Sequence, residues 1–198
     1  MREDGPTSGI EAVLLNGGES RRMGCDKAAM LVQGRPMAER IVSELLAAGL
    51  PVTALGRPVM GADWIEDSKQ NAGPLMALSG FMPRNRSVFV CSCDLPLFDR
   101  RLPGVLTRSI EGFQAAVPVI EGMPQPLCAL YDGSCWSRLH STLDEGRRSM
   151  MAWLEAISWK PITAEVIGAH GIDPFSVIGV NTPEELILRM SPFGNSTV

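Results

Sequence analysis

The chain has 198 residues, 45% of them hydrophobic and 20% charged, with a formal net charge of −4. This composition describes an ordinary globular protein, long enough to bury a sizeable core in one α/β domain. The negative balance excludes a dominant basic face, and with it nucleic acid as a general partner.

In chain order, residues 1–9 read as a frayed polar tail and residues 10–198 as one domain. With no transmembrane run and no apolar leader in view, a cytoplasmic protein without membrane attachment is expected. Glu11–Asn16 reads as a first strand buried on both faces. Pro36 opens a helix to about Ala48, with Met37, Ile41, Leu45 and Leu46 at helical spacing and Gly49 as its stop. Val52–Leu55 is a second strand, and Trp64–Asp67 a short third ending in a carboxylate. Gly73-Pro74 opens a helix through Phe81. Ser87–Ser92 is the strongest strand pattern and runs into Cys93-Asp94; Asp99–Ser109 follows as a helix. Gln114–Ile120 and Pro126–Tyr131 read as strands joined by a turn over Glu121–Pro124, and their prolines place them toward a sheet edge. Ser134–Leu143 and Ser149–Ile157 read as helices and Ile162–Ile167 as a strand. A further apolar strand precedes Gly179, and a closing helix spans Pro183–Met190, capped by Asn181 or Thr182. Alternating strands and helices predict a doubly wound, mostly parallel sheet with a small antiparallel edge.

In such sheets ligands bind at the carboxyl ends of the strands. Asn16-Gly17, Asp67 and Asp94 all stand at such ends. The segment Leu15-Asn16-Gly17-Gly18-Glu19-Ser20-Arg21-Arg22-Met23-Gly24-Cys25-Asp26-Lys27 joins the first strand to a helical pattern. Its paired glycines let backbone N–H groups approach an anion, and Arg21, Arg22 and Lys27 add positive charge suited to a triphosphate. The spacing fits neither the P-loop, since Cys25 and Asp26 separate Gly24 from the lysine, nor the Gly-x-Gly-x-x-Gly dinucleotide fingerprint. Lys27 and Arg22 are expected to neutralise phosphates, Arg through a bidentate fork and Lys as a point charge. Arg21 reads as a surface arginine. Asp26 orients Lys27 or caps a turn; Ser20 donates to a phosphate or shapes the loop.

Asp94 is the metal candidate. A carboxylate ending a buried strand is costly unless paired or metal-bound, and Mg2+ takes one or two carboxylates together with substrate phosphates. The alternative is a helix N-cap for the segment that follows. Gly73-Pro74-Leu75 opens a helix whose N-terminus faces an anion or is simply good helix chemistry. The five cysteines are odd in number and scattered, which argues against a disulfide framework. Cys91 and Cys93 lack nearby histidines and read as buried thiols rather than zinc ligands.

The pattern Leu-x-Gly-Gly-x-Ser-x-Arg-Met-Gly-x-Asp-Lys, together with Cys91-Ser92-Cys93-Asp94-Leu95-Pro96, resembles the nucleotidyltransferases that load molybdopterin, most closely the molybdenum cofactor guanylyltransferases. The resemblance covers roughly residues 11–190. It implies a Rossmann-like nucleotidyltransferase fold and transfer of GMP from GTP to molybdenum-molybdopterin. It further implies a nucleotide site at Leu15, Asn16, Gly17, Gly18, Lys27, Asp67 and Asp94, catalysis by Arg22, Lys27 and Asp94, and Mg2+ on Asp94. Asp67 would read guanine or hold the ribose, with a turn-forming aspartate as the plain alternative. Arg148 or Arg147 would meet the pterin phosphate, and Asn181 the pterin or a helix end. Molybdenum insertion proteins and molybdoenzyme chaperones are the implied partners. Asn16 stands where that family usually has alanine, and Gly179 where it often has a further asparagine. Three other readings accompany this one: the same reaction with CTP, transfer to another phosphorylated acceptor, and a non-catalytic pterin carrier.

Overall fold

The computed structural model of the protein describes residues 9–17, 30–32, 34–66 and 72–190. Gly18, Ser20, Arg21, Arg22, Asp26, Lys27, Asp67 and, apart from Gly9, the expected N-terminal tail lie outside the described residues.

The strands are β1 (Ile10–Asn16), β2 (Leu31–Val32), β3 (Arg35–Pro36), β4 (Val52–Gly56), β5 (Asp63–Ile65), β6 (Ser87–Ser92), β7 (Ala115–Ile120), β8 (Met123–Pro124), β9 (Cys128–Asp132) and β10 (Trp159–Thr163). The helices are α1 (Met37–Ala47), α2 (Pro74–Ser79), α3 (Leu102–Ser109), α4 (Cys135–Asp144), α5 (Met150–Glu155), α6 (Ala164–Gly168) and α7 (Pro183–Met190).

β1 is buried along its whole length and lies inside the sheet, between β6 and β4. Its residues alternate between two layers, as a strand covered on both faces must. Ala12 and Leu14 join a core that includes Ile41 and Leu45 of α1 and Leu102 and Leu106 of α3. Val13 and Leu15 join a core with Leu75 and Leu78 of α2, Leu139 of α4 and Trp153 of α5. The second layer is locked by aromatic rings. Trp153 stacks on Tyr131 at 4.4 Å between centroids and meets Trp136 edge-on at 5.5 Å. Both indole N–H groups are satisfied, on the carbonyls of Cys135 and Leu78.

The sheet runs in the order β10-β7-β9-β6-β1-β4-β5, with β8 folded back on β7. β1 pairs in parallel with both β4 and β6. The chain therefore leaves β1 toward β4 and β5 and returns on the opposite side to form β6. That reversal creates a crevice at the carboxyl ends of β1 and β6, the place where open α/β sheets bind ligands. The α/β, doubly wound, mostly parallel architecture is the one expected.

Four local expectations need correction. β9 is antiparallel to both its neighbours and lies inside the sheet, between β6 and β7, rather than at an edge. The prolines do not interrupt it: β7 pairs with β9 at Ala115 and Ala116, so Pro118 lies past that ladder, and Pro126 precedes β9. The turn between β7 and β8 is tighter than expected. Glu121 and Gly122 both take positive φ (51° and 77°), the conformation of a two-residue hairpin turn, and Met123-Pro124 pair back on Val119-Ile120. Finally, the expected strand Ile162–Ile167 ends at Thr163, and Ala164–Gly168 is α6; the apolar stretch before Gly179 is a 3-10 turn, Pro174–Val177, rather than a strand.

Candidate functional site

The carboxyl end of β1 is tied to that of β4. The Arg57 N–H donates to the Asn16 carbonyl at 3.1 Å, and Asn16 Nδ2 donates to the Arg57 carbonyl at 2.9 Å. Asn16 is almost fully buried; its Nδ2 is satisfied by this bond, while its Oδ1 has no partner among the described residues. Gly56 stands between them with φ +102°, and a Cβ there would lie 2.8 Å from Gly17 Cα and 2.9 Å from Gly17 N. The glycine is therefore what allows the chain leaving β1 to pass so close to β4. Gly17 itself is exposed at the start of the glycine-rich loop. Reading the sequence did not single out Gly56; its signal was a glycine ending a buried strand beside another strand end.

On the other side of the crevice, β6 ends at Ser92, the Cα partner of Leu15. The Cys93 N–H donates to the Leu15 carbonyl at 3.2 Å, which seats Asp94 next to the end of β1. Asp94 is half-buried, and the Ser92 hydroxyl donates to its Oδ1 at 2.6 Å. The Asp94 carbonyl accepts from the Val180 N–H at 2.9 Å, so the C-terminal segment docks on the same point. The N-cap alternative for Asp94 does not hold: turns follow it, and the next helix, α3, begins at Leu102.

A cleft of about 280 Å3 opens beside Asp94, lined by Ser92, Met123, Gln125, Gly179 and Asn181 among others. The β7–β8 hairpin forms one wall and the segment before α7 another. Asn181 thus lines the same cleft as Asp94, although the two stand 87 positions apart in sequence. The helix-capping role falls to Thr182, whose hydroxyl accepts from the Glu185 N–H at 3.0 Å, while the Asn181 N–H donates to Glu185 Oε2 at 2.6 Å. This is a capping box displaced by one residue.

Arg147 and Arg148 are separated by their surroundings. Arg147 pairs with Glu155. Arg148 is exposed, and its carbonyl lies 3.9 Å from the point where a Cβ of Gly73 would stand, at the start of α2. Neither arginine lines the cleft beside Asp94.

Cys91, Cys93, Cys128 and Cys135 are buried thiols; Cys25 lies outside the described residues. Burial pushes the thiols of Cys91 and Cys128 up, with a further push from the Asp94 charge, and Cys135 is pushed up to about 12, mainly by burial. Among the described residues no group of three or more His, Cys, Asp and Glu side chains is placed to hold a metal ion.

Residues 12–158 match the family profile described as "MobA-like NTP transferase domain". The chain is similar to a Bacillus licheniformis protein named "Probable molybdenum cofactor guanylyltransferase", with 30% identity over 187 residues, 88% of this chain and 93% of that one. A Bacillus subtilis protein of the same name is 33% identical over 186 residues, 87% of this chain and 90% of its own length. Among solved structures, molybdopterin-guanine dinucleotide biosynthesis protein A from Archaeoglobus fulgidus matches with a TM-score of 0.75 at 21% identity, over 89% of this chain and 95% of that one. At that identity the likeness is one of fold.

Proposed function

The chain belongs to the MobA-like NTP transferase family, and from that premise we propose that it transfers GMP from GTP to molybdenum-molybdopterin. The products are a molybdopterin guanine dinucleotide and pyrophosphate. The observation that supports this reading is the parallel pairing of β1 with β6, which brings the end of β1, where the glycine-rich segment begins, level with the end of β6, which runs into Asp94.

A phosphate oxygen of the acceptor attacks the α-phosphorus of GTP in line. The bond between the α-phosphorus and its bridging oxygen breaks, and pyrophosphate leaves with the electron pair. The acceptor is already anionic, so no side-chain nucleophile is needed. Catalysis rests on positioning and on charge neutralisation. Backbone N–H groups following Leu15, Asn16 and Gly17 cradle the nucleotide, with Gly18, Arg22 and Lys27 completing the loop. Asp94 would hold Mg2+, and the residues fit: Ser92 holds Oδ1 from one side, and the open cleft beside the carboxylate leaves room for substrate phosphates and water. Such an ion supplies charge stabilisation of the leaving pyrophosphate. Asp67 provides a carboxylate for the two adjacent donors of guanine or for the ribose. Asn181 and Gln125 line the acceptor side, and Arg148 meets the pterin phosphate only if the acceptor spans toward α2. A cytoplasmic location and delivery of the product to molybdenum insertion proteins and molybdoenzyme chaperones complete the reading; no described helix is long and apolar enough to cross a membrane.

Gly179 favours one second reading, in which the same transfer serves a different phosphorylated acceptor, because the cleft wall there carries no side chain. Turnover with molybdopterin against sugar phosphates, followed by pyrophosphate release, separates the two.

A further inference from the structure

Trp64 lies on β5, the last strand in the order of the sheet, and 49% of it is exposed. The ring is nevertheless held by the protein: its Nε1–H donates to the Gly56 carbonyl at 2.7 Å. An indole has a single polar group, a donor, and here the backbone takes it. What Trp64 leaves to solvent is therefore chiefly ring carbon.

The ring also has a direction. Trp64 is the Cα partner of Ala54, yet its indole reaches Gly56, two residues further along β4. The side chain thus leans toward the carboxyl end of the sheet, the end that binds ligands in open α/β folds. Gly56 in turn abuts Gly17, the first residue after β1. Indole, Gly56 and Gly17 adjoin in that order across the end of the sheet, and the two glycines bring no side chains of their own.

The face of an indole is apolar and electron-rich, so it attracts flat π-systems and not bare anions. Phosphates have better partners in the backbone N–H groups of the glycine-rich segment. The part of a nucleoside triphosphate that suits the ring is its base. Holding Nε1 on a backbone carbonyl sets the ring before the ligand arrives, so little rotamer freedom is lost on stacking.

We propose that Trp64 is a base-stacking residue of the nucleotide site, its ring pinned on Gly56 and flanking the base of bound GTP. This rests on the nucleotide role given to the crevice above. Stacking reads no hydrogen-bonding edge, so Trp64 supplies affinity for the base and leaves the choice among bases to polar groups.

The test measures by calorimetry, in Mg2+, the affinity for GTP and for inorganic triphosphate, which has the phosphate chain without the base. Trp64→Leu is expected to lower GTP affinity by about tenfold, the scale of one base–aromatic stack. Its triphosphate affinity should stay within about twofold of wild type. Trp64→Phe keeps an aromatic face without the N–H and should recover most of the loss. GTP affinity within about twofold of wild type in Trp64→Leu overturns the proposal. An equal loss on triphosphate also overturns it, since Trp64 would then only support the strand end. A loss in Trp64→Phe as large as in Trp64→Leu does the same, by assigning the effect to the Gly56 hydrogen bond. If the wild-type protein binds no GTP, the nucleotide reading of the crevice falls, and the stacking role falls with it.

Discussion

Leu15 and Ser92 stand opposite each other as the last matched residues of two parallel strands, and the Leu15 carbonyl accepts the N–H of Cys93, the residue after Ser92. Everything proposed for this site follows from that register. The chain leaves one strand into a glycine-rich, cationic loop and leaves the other into a carboxylate, at the same level of the sheet. A slip of one residue would turn Asp94 to the other face.

Lys27→Ala should weaken GTP binding by about ten- to a hundredfold, the worth of one charge-assisted phosphate contact at about 1.5–3 kcal/mol. Turnover should be nearly abolished, with the unfolding transition unchanged. Nucleotide titration and pyrophosphate release check both parts; wild-type affinity and rate in the variant would remove the loop from the site.

Asp94→Asn should fold normally and lose magnesium-dependent turnover. Asparagine keeps the size and can still accept from Ser92, but it lacks the charge that attracts a hard cation. A magnesium titration of pyrophosphate release reads the difference. Full activity at ordinary magnesium would mean that the carboxylate is structural.

Glu11 makes a different kind of claim, on stability alone. It is a buried carboxylate at the start of β1, and its Oε1 accepts the N–H groups of both Arg84 and Asn85, the latter at 2.7 Å. Glu11→Ala removes the acceptor of two part-buried backbone N–H groups and should cost about 1–3 kcal/mol in urea unfolding. Glu11→Gln retains an accepting oxygen and should cost markedly less. Equal losses in the two variants would show that the charge, not the two hydrogen bonds, carries the effect.

Much of this was legible in the residues. The all-apolar runs of β1 and β6 announce strands covered on both faces, and the polar residues that end them announce the crevice. What was not legible is non-local. Nothing within Pro126–Tyr131 tells that β9 inserts beside β6, because sheet order depends on partners distant in sequence. Ile162 and Ile167 both pack on the same core layer, one from β10 and one from α6, so a short apolar window there reads as a single strand. Gly179 stood out only as a glycine where the family often has asparagine; that it lies against the Asp94 carboxylate is visible only in the fold.

The Arg101–Asp99 pair predicts a pH dependence. Hydrogen bonds from the Arg101 side chain hold the Asp99 carboxyl below its usual range, outweighing its partial burial, and Arg101 Nη2 also donates to the Gly171 carbonyl at 2.8 Å. A folded pKa below the unfolded value of about 3.9 means that the pair stabilises fully above that value and loses its contribution as pH falls through the folded pKa. Arg101→Met should therefore be less stable than wild type at neutral pH, and the part of the gap owed to Asp99 should close in acid. A gap that stays constant through the acid range would assign the whole effect to the Gly171 contact.

The central claim is guanylyl transfer to molybdopterin, and product identity tests it most directly. Purified protein is incubated with molybdenum-molybdopterin, Mg2+ and GTP, CTP or ATP in turn, and the dinucleotide and pyrophosphate formed are identified by mass and quantity. The account predicts stoichiometric pyrophosphate and a guanine dinucleotide, with GTP strongly preferred because a site that pairs the donors of guanine rejects bases that leave its acceptors unpaired. Preferential formation of a cytosine dinucleotide, or pterin binding with no pyrophosphate from any nucleotide, would contradict it.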